Sequence, residues 1–171
     1  MLKLIYGLIF IVYTTLYILL QSHQLMPTAL INQIKQEVTS VYYDLPIVGQ
    51  LALVQAIHES GLLQKPSSLA VKYNNFFGIK KAGTAGTVKL KTKEYIKGKW
   101  VIVYEPFGSN KTVADSITQH RALMHRPRYK SVLESKTFEE AAKAVWRSGY
   151  ATDPSYPKKL INIYNKYIKK D

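Results

Sequence analysis

Two glutamates stand where acid/base chemistry would need them. Glu59 lies in Ala56-Ile57-His58-Glu59-Ser60-Gly61, at the end of the most apolar helical pattern of the chain. Stepping back four and seven places reaches Gln55 and Ala52, so Glu59 shares a face that edges the core. Partial desolvation and the electronegative end of a helix both favour the protonated carboxyl, the form a general acid needs. A solvated glutamate at a helix end is the plainer reading of that position. Glu94 lies in Lys91-Thr92-Lys93-Glu94-Tyr95 and is the one acid among seven lysines between Lys80 and Lys99. It is either a strand residue paired with lysine, or a base or charge stabiliser facing Glu59 across a cleft. Two carboxyls so placed suit glycoside hydrolysis. One protonates the leaving oxygen, and the other activates water or stabilises an oxocarbenium-like transition state. Glu105 at a strand end and Asp115 at a helix start are weaker candidates, and Glu134, Glu139 and Glu140 read as solvated helix residues.

Other chemistries are poorly served. No cysteine is present, which excludes disulfides, thiolate metal sites and a cysteine nucleophile. His120 and His125 are five apart, whereas two metal ligands on one helix face are three or four apart. His58 is next to Glu59 but is expected on another face. No phosphate loop and no serine triad is legible, so neither metal nor cofactor is expected.

The elements that must position the glutamates follow from periodicity. Pro27 starts a helix with Leu30, Ile31, Ile34, Val38 and Val41 on its apolar face. Pro46 opens a second, to about Ser60, with Val48, Leu51, Ala52, Val54 and Ile57 inward and Gly61 as its stop. Ser67 to Tyr73 reads as a short helix, and Asn74-Asn75 with Gly78 as a turn. Val88, Leu90 and Thr92 then alternate with lysines, and Trp100, Ile102 and Tyr104 alternate with valines, around Lys97-Gly98. That pattern is a β-hairpin. Helices resume at about Val113–His125, Phe138–Ser148 and Tyr156–Ile168, with Thr137 and Glu140 spaced as a capping box. The expected fold is α+β, mainly α: one two-lobed domain with a small β-hairpin lobe and a cleft suited to an extended polymer.

Composition and the amino terminus suggest where the chain works. It has 171 residues, a formal net charge of +13, 47% hydrophobic residues and 12% aromatics. That content is too apolar for a disordered basic tail, and the excess charge calls for an anionic partner. After Lys3, the seventeen residues Leu4 to Leu20 carry no charge and no proline. As a helix they would run roughly 26 Å, near the lower limit for a bilayer span. No Ala-x-Ala site follows, so an uncleaved signal anchor is expected ahead of a cleavable signal peptide. The reading is residues 1–24 as anchor, 25–44 as a connecting helix and 45–171 as the catalytic domain. It makes a single-pass membrane protein with its domain on the extracytoplasmic side. There the anion is the cell envelope, not nucleic acid.

Several blocks together resemble a known family. Gln55-Ala56-Ile57-His58-Glu59-Ser60-Gly61, Leu69-Ala70 and Tyr73-Asn74-Asn75-Phe76-Phe77-Gly78-Ile79-Lys80 resemble the glucosaminidase domain of glycoside hydrolase family 73. So do Thr92-Lys93-Glu94-Tyr95, Pro127-Arg128-Tyr129 and Gly149-Tyr150-Ala151-Thr152-Asp153-Pro154-Ser155-Tyr156. The blocks keep the family's order and cover roughly Leu45 to Tyr167. The resemblance implies a lysozyme-like fold and hydrolysis of peptidoglycan at the β-1,4 bond on the reducing side of N-acetylglucosamine. It makes Glu59 the catalytic acid and Glu94 the β-lobe base or stabiliser. Tyr150 becomes a tyrosine that positions the sugar, and Asn75, Phe76 and Tyr156 become substrate-binding residues. Departures occur at Leu62-Leu63, where the family often has Trp-Gly, at Phe107-Gly108-Ser109-Asn110, and at Gln119, where an Asp is common. A lytic transglycosylase or muramidase and a non-catalytic wall-binding lysis accessory protein are the alternatives. A phage lysis or entry enzyme and a bacterial wall-remodelling enzyme are the two expected settings.

Overall fold

The computed structural model describes residues 28–96 and 99–169, the side chains of residues 93–96 and 100 excepted. Helix α1 covers 28–41. Its Ile34 and Val38, four apart, are buried, and Leu30, Ile31 and Val41 pack beside them. Tyr42, just past the helix, is also buried, so this segment belongs to the core.

Helix α2, Pro46–Ser60, is the centre of the molecule. Proline at its first turn lacks only an N–H that would have had no partner there. Every residue from Leu51 to Ile57 is buried, because neighbours surround the helix on all sides. Each large apolar side chain enclosed this way contributes about 1.5–3 kcal/mol. Gly61 ends the helix at φ +70°, and a Cβ there would sit 2.7 Å from the Lys65 carbonyl oxygen. Only glycine closes this turn without displacing the next loop.

Helix α3, Ser68–Tyr73, is capped by Ser67, whose Oγ accepts from the Ala70 N–H. The chain then enters the hairpin of β1, Thr87–Ile96, and β2, Lys99–Gly108. The strands pair antiparallel from Thr87↔Gly108 to Ile96↔Lys99 and form a two-stranded sheet. The expected hairpin centre, Lys97-Gly98, lies outside the described residues. The base of the hairpin is fixed to the helical body. The Gly108 N–H donates to the Ile79 carbonyl at 2.8 Å, and a Cβ on Gly108 would meet the Lys81 carbonyl oxygen at 2.4 Å.

Helix α4, Val113–Met124, begins with a full capping box between Thr112 and Asp115. A 3-10 turn, Pro127–Tyr129, leads into the short α5, Lys130–Leu133. Helix α6, Phe138–Arg147, starts as expected with Thr137 accepting from the Glu140 N–H. The return bond differs: Glu140 accepts from Lys136 N–H at 2.8 Å, one residue further back. Helix α7 runs Tyr156–Ile163, and the chain widens into a π-helical turn over Tyr164–Ile168 rather than continuing as one α-helix. The widening begins at Tyr164, whose ring stacks on Phe138 at 3.9 Å.

The architecture is thus mainly helical α+β with a small two-stranded sheet. The fold class expected from sequence also placed a membrane-spanning helix ahead of the domain, and this part is corrected. Among the described residues no helix is long and apolar enough to cross a membrane. The longest, α2, has 15 residues and is about 22 Å long, short of a hydrocarbon core of about 30 Å. The expected span, 4–20, lies outside the described residues.

Candidate active site

Glu59 reaches its place because α2 ends there. In the last turn of α2, Ile57 and Ser60 stay buried while Glu59 turns outward and is exposed, whereas Gln55, one turn back, is buried. Its orientation comes from a neighbour rather than from burial. The hydroxyl of Tyr156, the first residue of α7, donates to Glu59 Oε1 at 2.6 Å. The same hydroxyl oxygen accepts from Gln55 Nε2 at 3.0 Å. Tyr156 is buried, and burial, then the Glu59 charge, push its phenol far above the usual value. It therefore stays a neutral donor to the carboxylate.

A cavity of about 450 Å³ opens beside Glu59. Its walls are Phe77 to Lys81, Leu123, Arg126, Arg128, Tyr129, Tyr150 and Ala151. Among the described residues Glu59 is the one carboxylate in that lining, and Lys80, Lys81, Arg126 and Arg128 are its cationic members. Arg128 stacks on the Tyr129 ring at 4.5 Å and also bonds its hydroxyl. Lys80 pairs with Glu105 at 3.3 Å. Adjoining cavities of about 140 and 330 Å³ extend the opening past Gln119 toward Asp115. The first shares Ile79, Lys81, Leu123 and Arg126 with the Glu59 cavity, and the second shares Ala82, Gln119 and Ala122 with the first. Together they form a trough along α4 and the base of the hairpin.

Tyr150 comes to the site from the loop before α7. Its ring stacks near Tyr156 at 5.9 Å, and its hydroxyl donates to the Phe77 carbonyl at 3.3 Å. Burial, reinforced by the Glu59 charge, raises its phenol well above the usual value, so it too remains neutral. Tyr150 thereby buttresses the wall formed by Phe77 and offers its ring to the cavity.

Asn75 and Phe76 are placed behind that wall. Asn75 is buried, and its Nδ2 donates to the Ile79 and Gly108 carbonyls at 2.8 and 2.9 Å. Its Oδ1 accepts from the Ile79 and Phe77 N–H groups at 3.0 and 3.4 Å. These four bonds shape the loop whose later residues line the cavity, and they tie it to β2. Phe76 is fully buried and lines a different, apolar cavity between α1 and α3. The main chain of Glu94 pairs with Val101 on the hairpin, and its side chain lies outside the described ones. Glu94 is seven residues beyond Thr87, about 24 Å along the strand from its start.

Three contributors were not legible in sequence. The His58 ring packs edge-on against Tyr156 at 5.6 Å, a contact the sequence did not suggest. Gln119 donates to the Lys81 and Ala82 carbonyls at 3.1 Å each, which an aspartate could not do. His120, for which the sequence suggested no structural role, is fully buried beneath Phe77 and bonds Gln55. Among the described residues no group of three or more His, Asp or Glu gathers to hold a metal.

The family model for glucosaminidase, described as mannosyl-glycoprotein endo-β-N-acetylglucosaminidase, matches residues 35–169. The chain is 35% identical over 133 residues to the exo-glucosaminidase LytG of Bacillus subtilis, covering 74% of this chain and 46% of that protein. It is 32% identical over 118 residues to the peptidoglycan hydrolase FlgJ of Escherichia coli, covering 66% and 38%. The chain thus spans less than half the length of these curated relatives. Among solved structures it is similar to the catalytic domain of the autolysin Auto of Listeria monocytogenes. That match has a TM-score of 0.72 at 25% identity, covering 82% of this chain and 84% of that one. A peptidoglycan hydrolase mutant from Sphingomonas sp. A1 matches with a TM-score of 0.64 at 26% identity, covering 81% and 93%.

Proposed function

The chain belongs to the glucosaminidase family, and on that premise we propose that it is a peptidoglycan hydrolase with Glu59 as its general acid. The observation that carries the reading is Glu59 itself: an exposed carboxylate on the wall of a trough, oriented by the Tyr156 hydroxyl. The bond cut is the β-1,4 link on the reducing side of N-acetylglucosamine. Glu59 gives its proton to the glycosidic oxygen as the bond from that oxygen to the anomeric carbon breaks. Water then supplies hydroxide to the anomeric carbon, and its remaining proton returns to a carboxylate.

The second carboxyl in this reading is Glu94, carried on the hairpin arm. A separation from Glu59 of about 5–5.5 Å in the complex with substrate would make it a nucleophile. About 6.5–9.5 Å would leave room for an attacking water. The N-acetyl group of the substrate is the third option for attack.

Polarity and shape support a polymeric, anionic substrate. Lys80, Lys81, Arg126 and Arg128 surround the cavity, suiting the carboxylates of wall peptides. The trough continues past the Glu59 cavity, as an extended glycan strand requires. The site of action is the cell wall. A phage lysis enzyme and a bacterial wall-remodelling enzyme would share this chemistry, and gene neighbourhood separates them.

Mass spectrometry of digested peptidoglycan tests the proposal. Reducing N-acetylglucosamine ends, absent with Glu59→Gln, are the expected products. Anhydro-muramyl ends would instead mean a lytic transglycosylase, and reducing muramic acid ends a muramidase. No lysis at all, with intact binding to walls, would mean a non-catalytic accessory protein.

A further inference from the structure

Glu59 is the last member of a hydrogen-bonded chain that crosses the core. Tyr42 Oη lies 2.7 Å from His120 Nδ1, and His120 Nε2 lies 3.1 Å from Gln55 Oε1. Gln55 Nε2 is 3.0 Å from Tyr156 Oη, which is 2.6 Å from Glu59 Oε1. The four residues behind Glu59 are all buried. They come from the turn after α1, from α2, from α4 and from α7, so no single element builds the chain.

The sense of each bond follows from what each atom can do. An amide nitrogen only donates, so the Tyr156 oxygen accepts and its one hydrogen is left for Glu59. An amide oxygen only accepts, so His120 Nε2 carries the hydrogen of that bond. In a neutral ring Nδ1 is then an acceptor, and Tyr42 donates to it. Burial holds the ring neutral, pushing its pKa down to about 3. The Phe77 ring stacks on the imidazole at 4.1 Å and keeps its plane fixed. Arg121, next to His120, grips the Asp44 carboxylate at 2.7 and 2.8 Å and also bonds the Val41 carbonyl. The segment carrying Tyr42 is thereby tied to the helix carrying His120. All four bonds point one way, toward Glu59, and bonds aligned in this manner polarise one another.

We propose that Tyr42, His120 and Gln55 are positioning residues of the glycosidase site. By fixing His120 as the Nε2–H tautomer they hold the Gln55 amide in one orientation and Tyr156 as a donor to Glu59 Oε1. This leaves Oε2 as the oxygen that carries the catalytic proton. The inference rests on Glu59 being the general acid. The opposite Gln55 orientation would set two acceptor oxygens against each other, or turn the Tyr156 hydroxyl away from Glu59.

Nitrogen-15 NMR of the histidine rings in the 171-residue chain reads the tautomer without any assay of activity. The expected result is a neutral His120 ring protonated at Nε2. A ring protonated at Nδ1, or at both nitrogens, overturns the proposal. Tyr42→Phe removes one hydroxyl and keeps the ring, so it disturbs packing little. It is expected to lower kcat roughly three- to tenfold, the loss for one hydrogen bond, with KM changed less than twofold. Unchanged kcat with only a lower Tm would assign these residues to structure alone and overturn the proposal. Gln55→Glu, of the same size, should give the same kcat pattern. Glu59→Gln tests the acid reading separately: retained activity there removes the premise, whereas the His120 tautomer is judged on its own.

Discussion

The Tyr156 hydroxyl lies 2.6 Å from Oε1 of Glu59, across 97 positions of sequence. The first residue of α7 therefore orients the carboxylate at the end of α2. The contact explains how an exposed glutamate is held still: its partner is buried, already accepts from Gln55, and has one hydrogen to give. Substrate can approach from the open side while the core fixes the other.

Glu59→Gln should reduce lysis of purified cell walls by roughly 10²–10⁴-fold, the range of a lost general acid. Stability should stay within about 0.5 kcal/mol, because the site is exposed and the new amide oxygen still accepts from Tyr156. Turbidity clearing and urea unfolding measure the two effects.

Glu94→Gln should lower kcat by about tenfold if Glu94 is the base or stabiliser. A residue that only pairs with strand lysines would leave kcat unchanged. The comparison is best made on defined glycan strands, where KM can be separated from kcat.

Asn75→Ala should destabilise the fold by about 3 kcal/mol, since it removes four hydrogen bonds, one of them to the buried Gly108 carbonyl, while the Ile79 carbonyl keeps only its bond from the Gly108 N–H. The loop from Phe77 to Lys81 loses its shape with them. Urea unfolding at neutral pH measures the loss, and a midpoint equal to that of the parent chain would show that the loop is held by other means.

Stability should fall as pH drops below about 6.5, through His120. The unfolded residue titrates near 6.5, whereas burial holds the folded ring near 3. Between those values the unfolded chain binds the extra proton, so acid favours unfolding, and above 6.5 the effect vanishes. By pH 4.5 the cost is about 2–3 kcal/mol. Asp44, Asp115 and Asp153 also have lowered pKa values, held down chiefly by bonds from Arg121, Thr84 and Lys159, so their contributions fade only at more acid pH. A His120→Gln chain, compared with the parent by denaturant unfolding at pH 7 and 4.5, should show a flatter dependence. Parallel slopes would show that His120 is not the titrating group.

Sequence alone determined most of the elements and singled out the candidate acid. Apolar spacing placed α1, α2, α4 and α6, alternation placed the hairpin, and Gly61 marked the end of α2, because these signals act over one turn or one strand pair. Glu59 was legible for the same reason: its position at the end of a buried helix is a local property. What surrounds Glu59 was decided by tertiary structure. Tyr156 and Gln55 are 101 positions apart, and Tyr42 and His120 are 78 apart. No local periodicity reports such pairs; they exist because the fold brings α4, α7 and the turn after α1 together around Gln55 of α2 and leaves buried polar groups that must satisfy one another. The same packing turned Asn75 into the brace of the loop and gave Phe77 and the residues after it the wall. Whether a polar side chain meets solvent, substrate or another buried group is set by which elements close over it, and that is a property of the whole fold.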